Sequence, residues 1–86
     1  MRLSPIFSQG DVELAEFSIG QDSPVLGMMV ADLVIPDRSL FIAILRNNQV
    51  SFPRGRTVFD AGDRVFALAH REVAEDLRRA ILGGLR

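Results

Sequence analysis

Two runs of this chain, Leu40 to Leu45 and Val65 to Ala69, are apolar at every position. Both are rich in branched or aromatic side chains and too short for stable helices, so they read as strands. Successive residues of a strand point to opposite sides, so each run places apolar groups on both faces of a sheet. In the second run Val65, Ala67 and Ala69 fall on one side, Phe66 and Leu68 on the other. The first run continues to Arg46 and meets Asn47-Asn48. That pair tolerates the positive φ of a two-residue hairpin turn, so a partner strand is expected from Gln49 to about Pro53.

The rest of the chain supplies fewer covers than these strands require. Asp11 to Ile19 alternates, with Val12 and Leu14 on one face and Phe17 and Ile19 in phase after a shift near Ala15. This predicts a first strand, bulged at the shift. Ser23-Pro24 reads as an N-cap followed by the proline favoured at a helix start, and Val25, Leu26, Met29, Val30 and Leu33 recur at helical spacing up to Pro36. Arg54-Gly55-Arg56 is a loop, Thr57 to Phe59 a short extended piece and Asp60-Ala61-Gly62-Asp63 a turn. A last helix is predicted from Arg71 to Leu82, with Val73, Ala74, Leu77, Ala80 and Ile81 as its stripe and Gly83-Gly84 as its end. Met1 to Gly10 carries no pattern and reads as a linker or lead-in, leaving one domain over residues 11–84. The fold class is α+β: a small, mainly antiparallel sheet with two helices in the order β-α-β-β-β-α. Two helices cover one face of a sheet; the other must fold over on itself or meet a second subunit.

Composition sharpens that demand. With 86 residues, 48% of them hydrophobic, the chain forms one small core and has apolar side chains to spare. It is too apolar for a disordered tail, yet has no apolar run of membrane-spanning length. The absence of cysteine removes disulfides and thiolate chemistry, and the single His70 removes multi-histidine metal sites. No signal-peptide pattern opens the sequence, so a cytoplasmic location is expected. There are ten arginines and no lysine. Two arginines against six carboxylates give residues 1–43 a charge of −4, and eight against five give residues 44–86 a charge of +3. A net −1 argues against nucleic-acid binding through a strong positive field.

No arrangement of acid, base and nucleophile emerges, so an enzyme is not expected. His70 reads as a surface residue where the last strand enters the last helix. Glu72, Glu75 and Asp76 read as the polar face of that helix, with Arg71–Glu75 and Glu75–Arg79 as pairs four residues apart. No glycine motif forms a phosphate cradle. Asp63, after the turn glycine, is expected to bond turn amides and fix the start of its strand. Arg46, Arg54 and Arg56 flank the central hairpin, as phosphate grips or as solvated partners of nearby carboxylates. Met28 and Met29 read as core and interface filler.

The series Ser23-Pro24, Gly27, Asp32-Leu33, Pro36, an apolar strand ending in Arg46, Asn47-Asn48, Pro53, Thr57 and Gly62-Asp63 with Val65 and Leu68 resembles the TrkA C-terminal domain, also called the RCK C-terminal domain, over about Val12 to Leu82. The resemblance implies a dimeric, regulatory, non-catalytic module of prokaryotic potassium channels, potassium uptake systems and cation/proton antiporters. It implies a cytoplasmic place, peripheral to the inner membrane through the transporter, and an upstream Rossmann-type nucleotide-binding domain as the usual companion. Several members bind cyclic di-AMP or another nucleotide, sometimes a metal ion, between two copies. In this sequence the corresponding seam runs through Val34, Ile35, Pro36, Asp37, Arg38, Ser39, Leu40 and Phe41, with Arg46 and Pro53 as edges. Arg38 is its cation and the expected phosphate contact. Cyclic di-AMP binders often add an asparagine and a histidine, for which no counterpart aligns here, and Met28 stands where many members have lysine.

The chain therefore reads as a ligand-sensing dimerisation domain, with a purely structural dimerisation module as the alternative. Val50 to Leu68 also faintly resembles the swapped-hairpin DNA-binding proteins of the AbrB type. The interval between Pro53 and Gly62-Asp63 is too short for the helical turn of that fold, and the charge argues against it. No cofactor is expected in this chain itself.

Overall fold

The computed structural model describes residues 1–5 and 11–83, with side chains for residue 1 and residues 11–83. Five antiparallel strands, β1 (Arg2–Pro5), β2 (Val12–Ser18), β3 (Ser39–Arg46), β4 (Gln49–Ser51) and β5 (Arg64–His70), form one sheet in the order β1-β2-β5-β3-β4. One helix, α1 (Ala74–Leu82), follows a 3₁₀ turn at Arg71–Val73. Gly83 ends it at φ 91°, its N–H bonded to the Arg79 carbonyl. Gly84 lies outside the described residues.

The two-faced strands occupy the centre of the sheet. Ala15, Phe17, Ile44, Val65, Ala67 and Ala69 are buried on the inner face. Leu77 and Ile81 of α1 pack on them, as do Ile19, Val25 and Phe59 from the connecting segments. Phe41 meets Phe59 edge-on, with ring centroids 5.4 Å apart. The opposite face carries a row formed by Leu14, Leu68 and Leu40, which are in register across three strands. Leu45 and Val50 pair further along the same side. On this face Leu40 and Val50 are 60% and 63% exposed, while Leu14 and Leu68 are half-buried.

Three expectations are corrected. The first helix does not form: Ser23 opens a single turn, in which the Leu26 N–H bonds to the Ser23 carbonyl, and Gly27 at φ 82° ends it. The N–H groups of Gly27, Val30 and Ala31 then bond to carbonyls of Phe59, Thr57 and Gly55, and only a 3₁₀ turn remains at Val30–Asp32. The apolar residues placed on that helix still serve the core; Val25 is buried, with Leu26, Val30 and Leu33 packed beside it. Bonding to the 55–59 segment satisfies the backbone that a helix would have satisfied internally. Next, β2 pairs without a bulge, and the register shift lies in β3 between Phe41 and Ala43. The phase change seen in β2 is simply a strand with apolar side chains on both faces. Finally, Arg2–Pro5 of the supposed lead-in is a strand paired with β2; an edge position accommodates the proline that masked it. Residues 6–10 of that lead-in lie outside the described residues.

Candidate functional site

The expected site residues separate into two places. Ile35 packs on the core rim and Phe41 faces the core; Pro36 is half-buried and Asp37 exposed. Arg38 stands at the start of β3 with φ 71°, a left-handed backbone that is costly for a residue with a side chain. Two bonds hold it there: the His70 N–H donates to its carbonyl at 3.0 Å, and the next residue, Ser39, anchors its hydroxyl on the Pro36 carbonyl at 2.6 Å. The guanidinium then reaches across to the junction of β5 and α1. Its Nη1 donates to Glu72 Oε1 at 2.6 Å, and its Nη2 lies 3.1 Å from His70 Nδ1.

Beside this cluster is a cavity of about 260 Å³ at one corner of the open sheet face. Arg38, Ser39 and His70 supply its polar rim, with Val12, Leu40 and Leu68 as apolar walls. The recess is apolar, with the Arg38 guanidinium at its lip. His70 is the component that sequence reading missed. It is half-buried, and only the pairing of Ser39 with Ala69 brings it to Arg38. Those strands are far apart in sequence, so spacing carries no trace of the contact.

Arg46, at the hairpin end of β3, is engaged elsewhere. Its Nε and Nη2 each donate to Asp63 at 2.7 Å, Nη2 also donates to the Val58 carbonyl, and Asp60 lies 3.4 Å from Nη1. The Asp60 N–H donates to Asp63 Oδ2 at 2.8 Å. Burial would raise the pKa of Asp63, but the bonds from Arg46 and Asp60 outweigh it and hold the carboxyl below the usual range. The Asp63 hydrogen bond likewise raises Arg46. Asp63 thus performs the turn-fixing role expected of it, and of the two readings of Arg46 the structure shows the carboxylate partner. Pro53 is half-buried in the loop after β4.

The surface pairs also differ from expectation. Arg78 meets Glu75 and Arg79 meets Asp76, three residues apart, while Arg71 turns to Glu13 of β2. The 3₁₀ geometry of Arg71–Val73 takes Arg71 out of helical phase with Glu75. Among the described residues no cluster of three or more metal-ligating side chains occurs, and no helix is long and apolar enough to cross a membrane.

Residues 14–82 match the TrkA-C domain. The chain is 39% identical over 72 residues to a Trk system potassium uptake protein TrkA homolog of Archaeoglobus fulgidus, an alignment covering 84% of this chain and 16% of that protein. It is 29% identical over 76 residues to the Trk system potassium uptake protein TrkA of Mycobacterium tuberculosis, covering 88% of this chain and 34% of the other. This chain therefore spans a minor part of these relatives. A solved structure described as an RCK domain with cda superposes with a TM-score of 0.67 at 22% identity, over 79% of this chain and 96% of that one.

Proposed function

The chain belongs to the TrkA-C domain family, and from that premise we propose that it is a regulatory, non-catalytic domain of a prokaryotic potassium or other cation transport system. The observation that carries this reading is the family match over residues 14–82, which takes in the whole of β3, β4, β5 and α1. The similarity to Trk potassium uptake proteins supports the transport assignment. Their greater length is consistent with a companion domain, for which a Rossmann-type nucleotide-binding unit is the expectation, at the cytoplasmic face of the transporter.

In this reading two copies pair through the open sheet face, because the Leu14, Leu68 and Leu40 row is an apolar surface that a second copy buries symmetrically. The Arg38 cavity then lies along the seam, and a phosphate-bearing ligand such as cyclic di-AMP or another nucleotide binds there. The RCK domain neighbour, solved with cda, supports a ligand at this kind of domain. Regulation follows from differential affinity: a ligand that binds one arrangement of the dimer more tightly shifts the population toward it.

The test is potassium uptake by the native host, followed with rubidium, before and after removal of the gene for this chain. Altered uptake restored by the wild-type gene is expected; identical uptake under limiting and replete potassium contradicts the assignment. A structural dimerisation module without ligand is the second reading, favoured by the bonds that Glu72 and His70 already make to Arg38. Calorimetry and thermal-shift measurements with cyclic di-AMP, adenine nucleotides and divalent ions separate the two, since no response to any of them selects the structural reading.

A further inference from the structure

Most arginines of this chain are neutralised where they stand. Among the described side chains, Arg38, Arg46, Arg64, Arg71, Arg78 and Arg79 each meet a carboxylate. The two described arginines without an ion pair are Arg54 and Arg56, both exposed. They share one tight turn, in which the Arg54 N–H donates to Thr57 Oγ1 at 2.9 Å and the Thr57 N–H donates to the Arg54 carbonyl at 3.1 Å. The Ala31 N–H ties this turn to the segment before β3, donating to the Gly55 carbonyl at 2.9 Å. Asp32, the next residue of that segment, forms no ion pair with either guanidinium among the described residues. Just before the turn, one residue beyond β4, Phe52 is 71% exposed. Pro53 after it confines Phe52 to extended backbone. The bonds that fix this tip come from backbone and from Thr57, so both guanidiniums and the phenyl ring are left to solvent.

Two unpaired cations beside an exposed ring match a surface that is anionic outside and apolar beneath. A bilayer has that layering: headgroup phosphates accept from arginine, and a ring at the interface lies against acyl chains. We infer that residues 52–56 form a contact for anionic phospholipid, laid on the membrane beside the transporter. This inference rests on the reading of the chain as a domain of a cation transport system, and charge favours lipid over the transporter's own loops. Short cytoplasmic loops of membrane proteins carry an excess of lysine and arginine, which repel Arg54 and Arg56; anionic lipid attracts them. The net charge of −1 draws the chain as a whole to no anionic surface, so the attraction is local to the tip. Two cations and one ring make a weak anchor by themselves. Attachment through a transporter makes the contact effective, because it holds lipid near the tip at high local concentration.

The experiment is co-sedimentation of the full chain with vesicles of phosphatidylglycerol and phosphatidylcholine in equal parts, and with vesicles of phosphatidylcholine alone, at low and at physiological ionic strength. Binding to the anionic vesicles only, weakened by salt, is expected. Arg54→Gln combined with Arg56→Gln should weaken it about 25-fold, about fivefold for each cation taken from the surface. Phe52→Ser should weaken it too, with the salt dependence unchanged. Arg79→Gln, which removes the same charge from a site already paired with Asp76, should bind like the wild type. Circular dichroism of each variant verifies that the fold is kept. No binding to anionic vesicles at low ionic strength overturns the inference, as does an equal loss in Arg79→Gln or no loss in the double arginine variant. Binding to a polyglutamate peptide without binding to vesicles also overturns it and gives the tip to an acidic protein. Because the vesicles contain no transporter, each of these results leaves the transport reading to its own rubidium test.

Discussion

At the scale of single residues, the buried charged side chain among the described residues has a structural part. The Asp63 side chain is 1% exposed and accepts from Arg46 twice and from the Asp60 N–H. Replacing it by asparagine removes the charge and leaves Arg46 facing an amide, so Asp63→Asn should cost about 1–3 kcal/mol in denaturant unfolding. The sign with pH follows from the lowered carboxyl. Its contribution is present above the ordinary carboxylate range and is lost as pH falls through the folded-state value, below about pH 4. Acid unfolding of the wild type should therefore steepen there, and the part due to Asp63 should be missing from Asp63→Asn. This residue was legible in the sequence, because an aspartate after a turn glycine has local amides to bond. Arg38 was legible as the cation of its segment. His70 was not, since its chemistry depends on strands brought together across the sheet.

At the scale of elements, strands and turns were legible where local chemistry decides them. Asn47 and Asn48 adopt φ 53° and 65°, the left-handed pair expected of the hairpin. Asn48→Ala should destabilise by about 1–2 kcal/mol, the cost of placing a β-carbon in that region, and a shift of the thermal midpoint checks it. The inner face is packed around small residues; Ala15, Ala67 and Ala69 are at most 1% exposed. Ala67→Leu should overpack this layer and cost about 1–3 kcal/mol in the same assay. The segment from Ser23 to Pro36 resembles a helix because helical spacing of apolar residues is also what a turn-rich cover needs when it drops side chains onto one face. What decides against the helix is backbone pairing with residues 55–59, which spacing does not encode.

At the scale of the whole molecule, the surplus of apolar residues follows from central strands that carry apolar side chains on both faces of the sheet. The inner face has α1 and the connecting segments; the outer face keeps a leucine row beside the Arg38 cavity. That surface was legible as two-faced strands, although the sequence could not show which residues would line up across it. Leu40, 60% exposed on this face, is a mild place to insert a charge. Leu40→Asp should keep the wild-type circular dichroism spectrum while weakening self-association. The central claim, that a second copy covers the outer face, is tested most directly by sedimentation equilibrium of the full chain across micromolar concentrations. The account predicts a species of twice the 9.5 kDa chain mass; a monomer at every concentration would contradict it.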